Sequence, residues 1–315
     1  MARTVLITTS SFGTYDQEPV EMIKSAGLVP VLNPHGRKLA PEETKSIFQA
    51  NSPVGIVAGT EKLSRELLES AADLKVISRV GTGWDNVDHT TAKKCGILVY
   101  RTPDSHVDAV TELAIGLMLS VLRNIARADR NVREGKWKPI MGQLLHHKVV
   151  GLVGYGLVGK RMASVLSNGF GATVIAYDPY IADKEWGDAG GVKLRSLEDL
   201  LKISDIVSLH VPGGDGYLIG AREFGLMKRG AVIINTARGG LIDEAALKEA
   251  IDKGMLEGAG LDVFETEPYQ GPLRLSDKVV MTMHMGSYAK ESRIRMEVEA
   301  VENLLTGLRE KGVIK

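Results

Sequence analysis

Short apolar runs and amphipathic stretches alternate along this chain from its first residues. Val5–Thr8, Val29–Leu32, Gly55–Ala58 and Val76–Arg79 carry almost no polar interruption, the pattern of parallel strands buried on both faces. Between them Glu18–Ala26, Pro41–Ala50 and Ser64–Ala72 read as amphipathic helices, with plausible starts at Pro19, Pro41 and Ser64. Ile97–Val99 predicts one more strand. A first α/β domain therefore runs to about residue 101, and Thr102-Pro103-Asp104 punctuates the chain.

A long helical pattern follows from Val107 to Glu134. It is apolar on nearly every side at Leu113–Leu122, so it should be buried, in a subunit or domain interface. The second half alternates again. Lys148–Val153, Thr173–Tyr177, Ile206–His210, Ala231–Asn235, Gly258–Val263 and Val279–Met281 read as strands, with helices at Gly159–Ser167, Ser196–Ile203 and Glu244–Lys253. This order predicts a doubly wound parallel sheet. The last helix, Ser287–Lys311, lies beyond this block and is expected to pack back on the first. The expected division is 1–101 with 286–315, and 102–285.

Composition narrows the function classes. Of 315 residues, 44% are apolar and 25% charged, which excludes a disordered chain. Lys plus Arg and Asp plus Glu both total 39, so nothing points to nucleic acid or an anionic membrane. One cysteine, Cys95, forbids an internal disulfide and fits a reducing compartment. The N-terminus lacks the apolar core of a signal peptide. The apolar stretch Ala109–Leu122 contains Glu112 and is too short for a bilayer. A soluble, cytoplasmic protein is expected. His146 and His147 are adjacent, so in a regular element their side chains diverge; no metal-ligand spacing is present, and no metal is expected.

The clearest chemistry sits at the start of the second block. Gly154-Tyr155-Gly156-Leu157-Val158-Gly159 follows a strand and precedes a helix, and Asp178 stands 19 positions past Gly159 at the end of the next strand. That is the fingerprint of a dinucleotide site. Gly154 permits the turn, Gly156 lets backbone approach a pyrophosphate, and Gly159 lets helix and strand pack closely. The helix N-terminus offers N–H groups to phosphate. Asp178 suits ribose hydroxyls and repels a 2′-phosphate; Pro179 and Tyr180 follow with no arginine. NAD is favoured over NADP.

Three further strand-end segments stand on the same side: Asn235-Thr236-Ala237-Arg238-Gly239-Gly240, Leu261-Asp262-Val263-Phe264-Glu265-Thr266-Glu267-Pro268, and His284-Met285-Gly286. With the glycine loop they resemble the D-2-hydroxyacid dehydrogenases, in the phosphoglycerate dehydrogenase-like branch. Arg79-Val80-Gly81-Thr82-Gly83-Trp84-Asp85-Asn86-Val87-Asp88 and Thr111–Leu119 extend the resemblance over essentially the whole chain. It implies a Rossmann cofactor domain and a flavodoxin-like substrate domain, both doubly wound. It also implies a catalytic triad of Arg238, Glu267 and His284. His284 would exchange a proton with the substrate oxygen, since imidazole titrates near neutrality. Glu267 would fix its tautomer, and Arg238 would hold the substrate carboxylate with a planar fork of donors. Thr236, Ala237, Asp262 and Gly286 are expected on the cofactor, with Asp262 at its nicotinamide end. His210, Val211 and Pro212 would border the adenine side.

The same resemblance makes Val80, Gly81, Thr82 and Gly83 a loop whose N–H groups hold the substrate carboxylate, in a cleft that closes about hinges near 100–103 and 285–288. Arg79 matches an arginine that helps bind phosphate in phosphoglycerate dehydrogenases. A second such arginine is replaced here by Ala58, and His106 stands where those enzymes commonly have asparagine. These departures point toward the glyoxylate and hydroxypyruvate reductases, with His106 a candidate substrate contact. A serine-sensing regulatory domain is not expected. The partner classes implied are a small 2-hydroxy or 2-keto acid and a second copy of the chain, in a homodimer joined through the long helix. An NAD-sensing corepressor on the same fold is the alternative.

Overall fold

The computed structural model describes residues 3–181, 191–193 and 196–315. The chain forms two compact units, Met1–His106 with Ser287–Lys315, and Val107–Gly286. Both are parallel α/β sheets. Among the described residues no single helix is long and apolar enough to cross a membrane.

Unit 1 holds strands β1 (Thr4–Ile7), β2 (Val29–Leu32), β3 (Gly55–Ala58), β4 (Val76–Arg79) and β5 (Leu98–Arg101) in the order β2-β1-β3-β4-β5. Neighbouring β1 and β3 make the point where strand order reverses, as in flavodoxin-like sheets. Alternate residues feed two cores. Val5, Ile7, Val57 and Val76 face Met296, Ala300, Val301, Leu304 and Leu308 of the C-terminal helix Lys290–Glu310. Leu6, Ile56 and Ile77 face Phe48, Leu63, Leu67 and Leu68 on the other side. The last helix thus closes the first domain's core, as the sequence pattern predicts. A short helix at His89–Lys94, capped by the Asp88 carboxylate on the Thr91 N–H at 2.8 Å, carries too few apolar residues to read from sequence.

Unit 2 holds β6 (Val149–Val153), β7 (Thr173–Tyr177), β8 (Gly191–Lys193), β9 (Ile206–Leu209), β10 (Ala231–Asn235), β11 (Leu256–Leu261) and β12 (Val279–Met281). The order β12-β11-β10-β9-β6-β7-β8 is the Rossmann order extended by one strand. One face buries Val153, Val207, Leu209, Ile233 and Leu261. The other buries Val150, Leu152, Ile206, Val232 and Ile234 under Ala114, Leu117, Met118 and Val121.

The long helix departs from expectation twice. It breaks into Val107–Leu122 and Ile125–Arg133, bent by 63°. Asn124 at the break has φ 54°, a left-handed conformation that asparagine tolerates better than most residues. Its apolar faces are also spent inside unit 2: Ala114, Leu117, Met118 and Leu122 are all at most 3% exposed. Exposed apolar residues in this stretch are instead Ile125 and Val132 on the second helix, and Trp137, Met141 and Leu144 after it.

Leu304 is fully buried between the last helix and the unit 1 sheet. Leu304→Ala should cost about 2–5 kcal/mol, read as a lower midpoint for unit 1 in urea unfolding. An unchanged midpoint would contradict the packing described.

Candidate active site

The glycine loop follows from a crowded strand end. Gly154 has φ +97°, and a Cβ there would stand 2.4 Å from the His210 carbonyl oxygen, so no other residue fits. A Cβ on Gly159 would meet the Gly154 carbonyl oxygen at 2.3 Å, which is the close helix–strand approach the sequence spacing requires. Gly156 has open space where its Cβ would be. It caps a helix running Leu157–Phe170, two residues earlier than the sequence suggests, with no side chain on the cap and no acid in the first turn. The N–H groups of Leu157, Val158 and Gly159 therefore start a helix with its positive end uncompensated.

Asp178 follows β7, and its two carboxylate oxygens accept the N–H groups of Tyr155 and Tyr180, each at 2.9 Å. This fixes the acid against the loop while leaving acceptor capacity on both oxygens. Pro179 lies between these contacts. At the end of β9 the His210 ring meets the Ser208 hydroxyl at 3.0 Å, and Val211 packs beside Gly154 ahead of Pro212. Burial pushes the His210 imidazole down to about 4. Beyond β10, the Thr236 hydroxyl is buried without a hydrogen-bond partner among the described residues. A buried orphan hydroxyl, an uncapped helix start and the space beside Gly156 fit a bound dinucleotide.

Asn235 shapes the turn that carries Arg238. Its side-chain oxygen accepts the Ala237 N–H at 3.0 Å and its amide donates to the Arg238 carbonyl at 2.8 Å. The Arg238 guanidinium donates to the Ala237 carbonyl at 2.7 Å. A Cβ on the next residue, Gly239, would fall 1.9 Å from the Phe264 carbonyl. That glycine lets the Arg238 turn close onto the Phe264–Glu267 loop. There the Glu267 carboxylate accepts the Phe264 N–H at 3.2 Å and stands 2.8 Å from His284 Nδ1. The pairing leaves Nε2 as the ring's other proton site.

His284 itself has φ 54°, a conformation that a bulky residue adopts only when its surroundings impose it. Asp262, 1% exposed, imposes it. Its carboxylate accepts from the Thr282 hydroxyl at 2.6 Å and from the Met285 and Gly286 N–H groups at 2.8 Å each. Its carbonyl accepts the His284 N–H at 2.8 Å. Both carboxylate oxygens expected at the nicotinamide are thus engaged by the histidine loop.

Unit 1 carries the other predicted residues. The four-donor loop is reduced by its own packing. Val80 N–H donates to the Ala58 carbonyl at 3.0 Å, and Gly81 N–H to the Thr102 hydroxyl at 2.8 Å. Among the described residues the Thr82 and Gly83 N–H groups have no such partner, at a turn suited to an anion. The Thr82 hydroxyl lies about 3.0–3.1 Å from both ring nitrogens of His106. Arg79 does not project outward as a phosphate contact would. It is 9% exposed, its guanidinium donates to the Val80 carbonyl, and it lies on Gly81, where a Cβ would meet it at 2.9 Å.

A model of the D-isomer specific 2-hydroxyacid dehydrogenase NAD binding domain matches residues 115–286. Over 301 residues the chain is 38% identical to a hydroxypyruvate reductase of Thermotoga maritima, covering 93% of this chain and 95% of the relative. This chain belongs to the D-2-hydroxyacid dehydrogenase family. It is also 40% identical over 249 residues to a D-3-phosphoglycerate dehydrogenase of Methanocaldococcus jannaschii, covering 77% of this chain but only 47% of that longer protein. Among solved structures, the TT0316 protein of Thermus thermophilus superposes with a TM-score of 0.88 at 33% identity, covering 98% of this chain and 97% of that one.

Within this family framework, sequence reasoning missed the residues that shape rather than bear the chemistry. Asn235 stands inside a recognised motif, but its double role in the turn is visible only in three dimensions. His146 and His147 do not diverge: their ring centroids are 3.7 Å apart because His147 is left-handed, with φ 62°. Among the described residues no group of three metal-ligating side chains forms.

Two outcomes test this geometry. Asp262→Asn puts an amide donor among the loop's own donors; turnover should fall roughly 100-fold through displacement of His284, with NADH affinity little changed by fluorescence titration. Full activity would remove Asp262 from the positioning role. By NMR titration, His210 should stay neutral until about pH 4. The unfolded chain protonates this imidazole near 6.5, so its contribution to stability is full above 6.5 and lost as pH falls toward 4. A midpoint for His210 near 6.5 in the folded protein would contradict its burial.

Proposed function

We propose that the triad and the glycine loop make this chain an NAD-dependent dehydrogenase that interconverts a small 2-keto acid and its D-2-hydroxy acid. The observation that carries the reading is the 2.8 Å pairing of Glu267 with His284 Nδ1, on a loop braced by Asp262 and in contact with the Arg238 turn. Bound NADH supplies the hydride that reaches C2. His284 Nε2 delivers the proton that the carbonyl oxygen needs, and in the oxidative direction takes it back. Glu267 holds the ring so that Nε2 is the working nitrogen. Arg238 offers its fork to the carboxylate and polarises the carbonyl. Within unit 1 the Thr82 and Gly83 N–H groups lie at a turn suited to an anion, and His106 orients the Thr82 hydroxyl. The Leu157–Gly159 helix start receives the pyrophosphate, Asp178 the adenosine ribose, and Thr236 and Ala237 the nicotinamide half.

The working form is a homodimer. Its support is the run of exposed apolar residues Ile125, Val132, Trp137, Met141 and Leu144 within 20 positions of the sequence. Sedimentation should give twice the 34.0 kDa chain mass, and Val132→Glu should shift it toward monomer. A monomeric parent protein would exclude this assembly.

NADH oxidation with glyoxylate and hydroxypyruvate tests the activity. The parent protein should turn over at least one, and His284→Ala should lower kcat by roughly 10²- to 10⁴-fold without weakening NADH binding. NADH binding with no turnover on any 2-keto acid would favour a cofactor-sensing protein instead.

A further inference from the structure

Two acids with no part in the proton transfer hold the loop that carries Glu267. Glu244 opens the helix Glu244–Asp252 after β10, and Glu265 stands two positions before Glu267 after β11. Their bonds are reciprocal. The Glu244 carboxylate accepts the Glu265 N–H at 2.8 Å, and the Glu265 carboxylate accepts the Glu244 N–H at 3.3 Å. The Tyr217 hydroxyl donates to the other Glu265 oxygen at 3.2 Å. Two carboxylates set this close repel each other. Burial, and the Glu265 charge beside it, raise the Glu244 carboxyl above its ordinary range. A local arrangement that costs stability in this way is characteristic of places where position serves function.

The peptide between Phe264 and Glu265 is the part being held. Its carbonyl lies against Gly239, where a Cβ would fall 1.9 Å from the Phe264 carbonyl oxygen and 2.6 Å from the Glu265 nitrogen. Its N–H goes to Glu244. One step back along the chain, the Phe264 N–H reaches the Glu267 carboxylate at 3.2 Å, and that carboxylate meets His284 Nδ1 at 2.8 Å. Turning the Phe264–Glu265 peptide moves everything that follows it, Glu267 included, relative to the Phe264 N–H. The neighbouring acid has a different task. Asp243 caps the helix, its carboxylate accepting the Ala245 and Ala246 N–H groups at 3.0 and 2.9 Å. All of these residues belong to unit 2.

Resting on the function proposed above, we infer that Glu244 is a positioning residue: by holding the Phe264–Glu265 peptide it fixes the Glu267 carboxylate on His284 Nδ1 and keeps Nε2 as the working nitrogen. It bonds the loop and not the histidine, so it acts only through Glu267. Without its carboxylate the Glu265 N–H turns to water, and the peptide gains freedom to rotate. A ring whose Nδ1 loses its acceptor no longer keeps its proton there, since the tautomer is set by the hydrogen bond that the ring makes.

Heteronuclear NMR of the His284 ring in the intact protein tests this without substrate or turnover. At alkaline pH, where an imidazole is neutral, the parent protein should hold the proton on Nδ1, and Glu244→Ala should move a large part of it to Nε2. The same variant should lower kcat on hydroxypyruvate by roughly 10- to 100-fold, with KM and NADH affinity little changed. Glu244→Gln keeps an acceptor oxygen and should restore the parent tautomer and most of kcat. Asp243→Ala removes the helix cap; it should lower the unfolding midpoint and leave the tautomer in place. A parent-like tautomer in folded Glu244→Ala would overturn the inference. So would a Glu244→Gln protein as defective as Glu244→Ala, or an equal tautomer change in Asp243→Ala. A parent protein without turnover would instead overturn the dehydrogenase reading, and the tautomer would still decide the role of Glu244.

Discussion

The Asp262 carboxylate, buried at the end of β11, accepts from Thr282, Met285 and Gly286 while its carbonyl accepts from His284. These bonds bend a short loop so tightly that His284 takes a left-handed backbone. An imidazole on an unbraced loop would sample many orientations, and proton transfer demands one. Each of the four bonds involves a group that would otherwise lie unsatisfied near the carboxylate. The position of His284 against Glu267 follows from this brace, and the proposed chemistry follows from that pair.

Parallel strands make such a construction economical. Every strand of each sheet runs the same way, so the loops that follow them gather at one edge. In unit 2 that edge collects the glycine loop after β6, Asp178 after β7, His210 after β9, Arg238 after β10, Glu267 after β11 and His284 after β12. Glycines let these loops touch: Gly154 accommodates the His210 carbonyl, and Gly239 the Phe264 carbonyl. In unit 1 the same principle places the Thr82 and Gly83 N–H groups after β4.

Much of this was legible in the sequence because both sheets are buried on two faces. Four-residue apolar runs such as Gly55–Ala58 and Val76–Arg79 coincide with their strands. The glycine loop was marked by its own spacing, because close approach dictates its residue types, while Arg238, Glu267 and His284 were pointed to by resemblance to a family. What stayed hidden depends on contacts remote in sequence. Nothing local shows that Val80 and Gly81 spend their N–H groups on Ala58 and Thr102, or that Arg79 folds back on Gly81. The helix break at Asn124 rests on one left-handed residue inside a continuous helical pattern. Glu244 reads as a helix-start acid until the Glu265 N–H, 21 positions on, is found against its carboxylate.

The central claim is that hydride passes between nicotinamide and C2 of a 2-keto acid. It is tested most directly by reducing hydroxypyruvate with NADH carrying deuterium at both C4 positions and analysing the product by NMR and chiral chromatography. The account predicts one deuterium, at C2, in the D-enantiomer of the hydroxy acid. Label elsewhere, no label, or an L-product would contradict it.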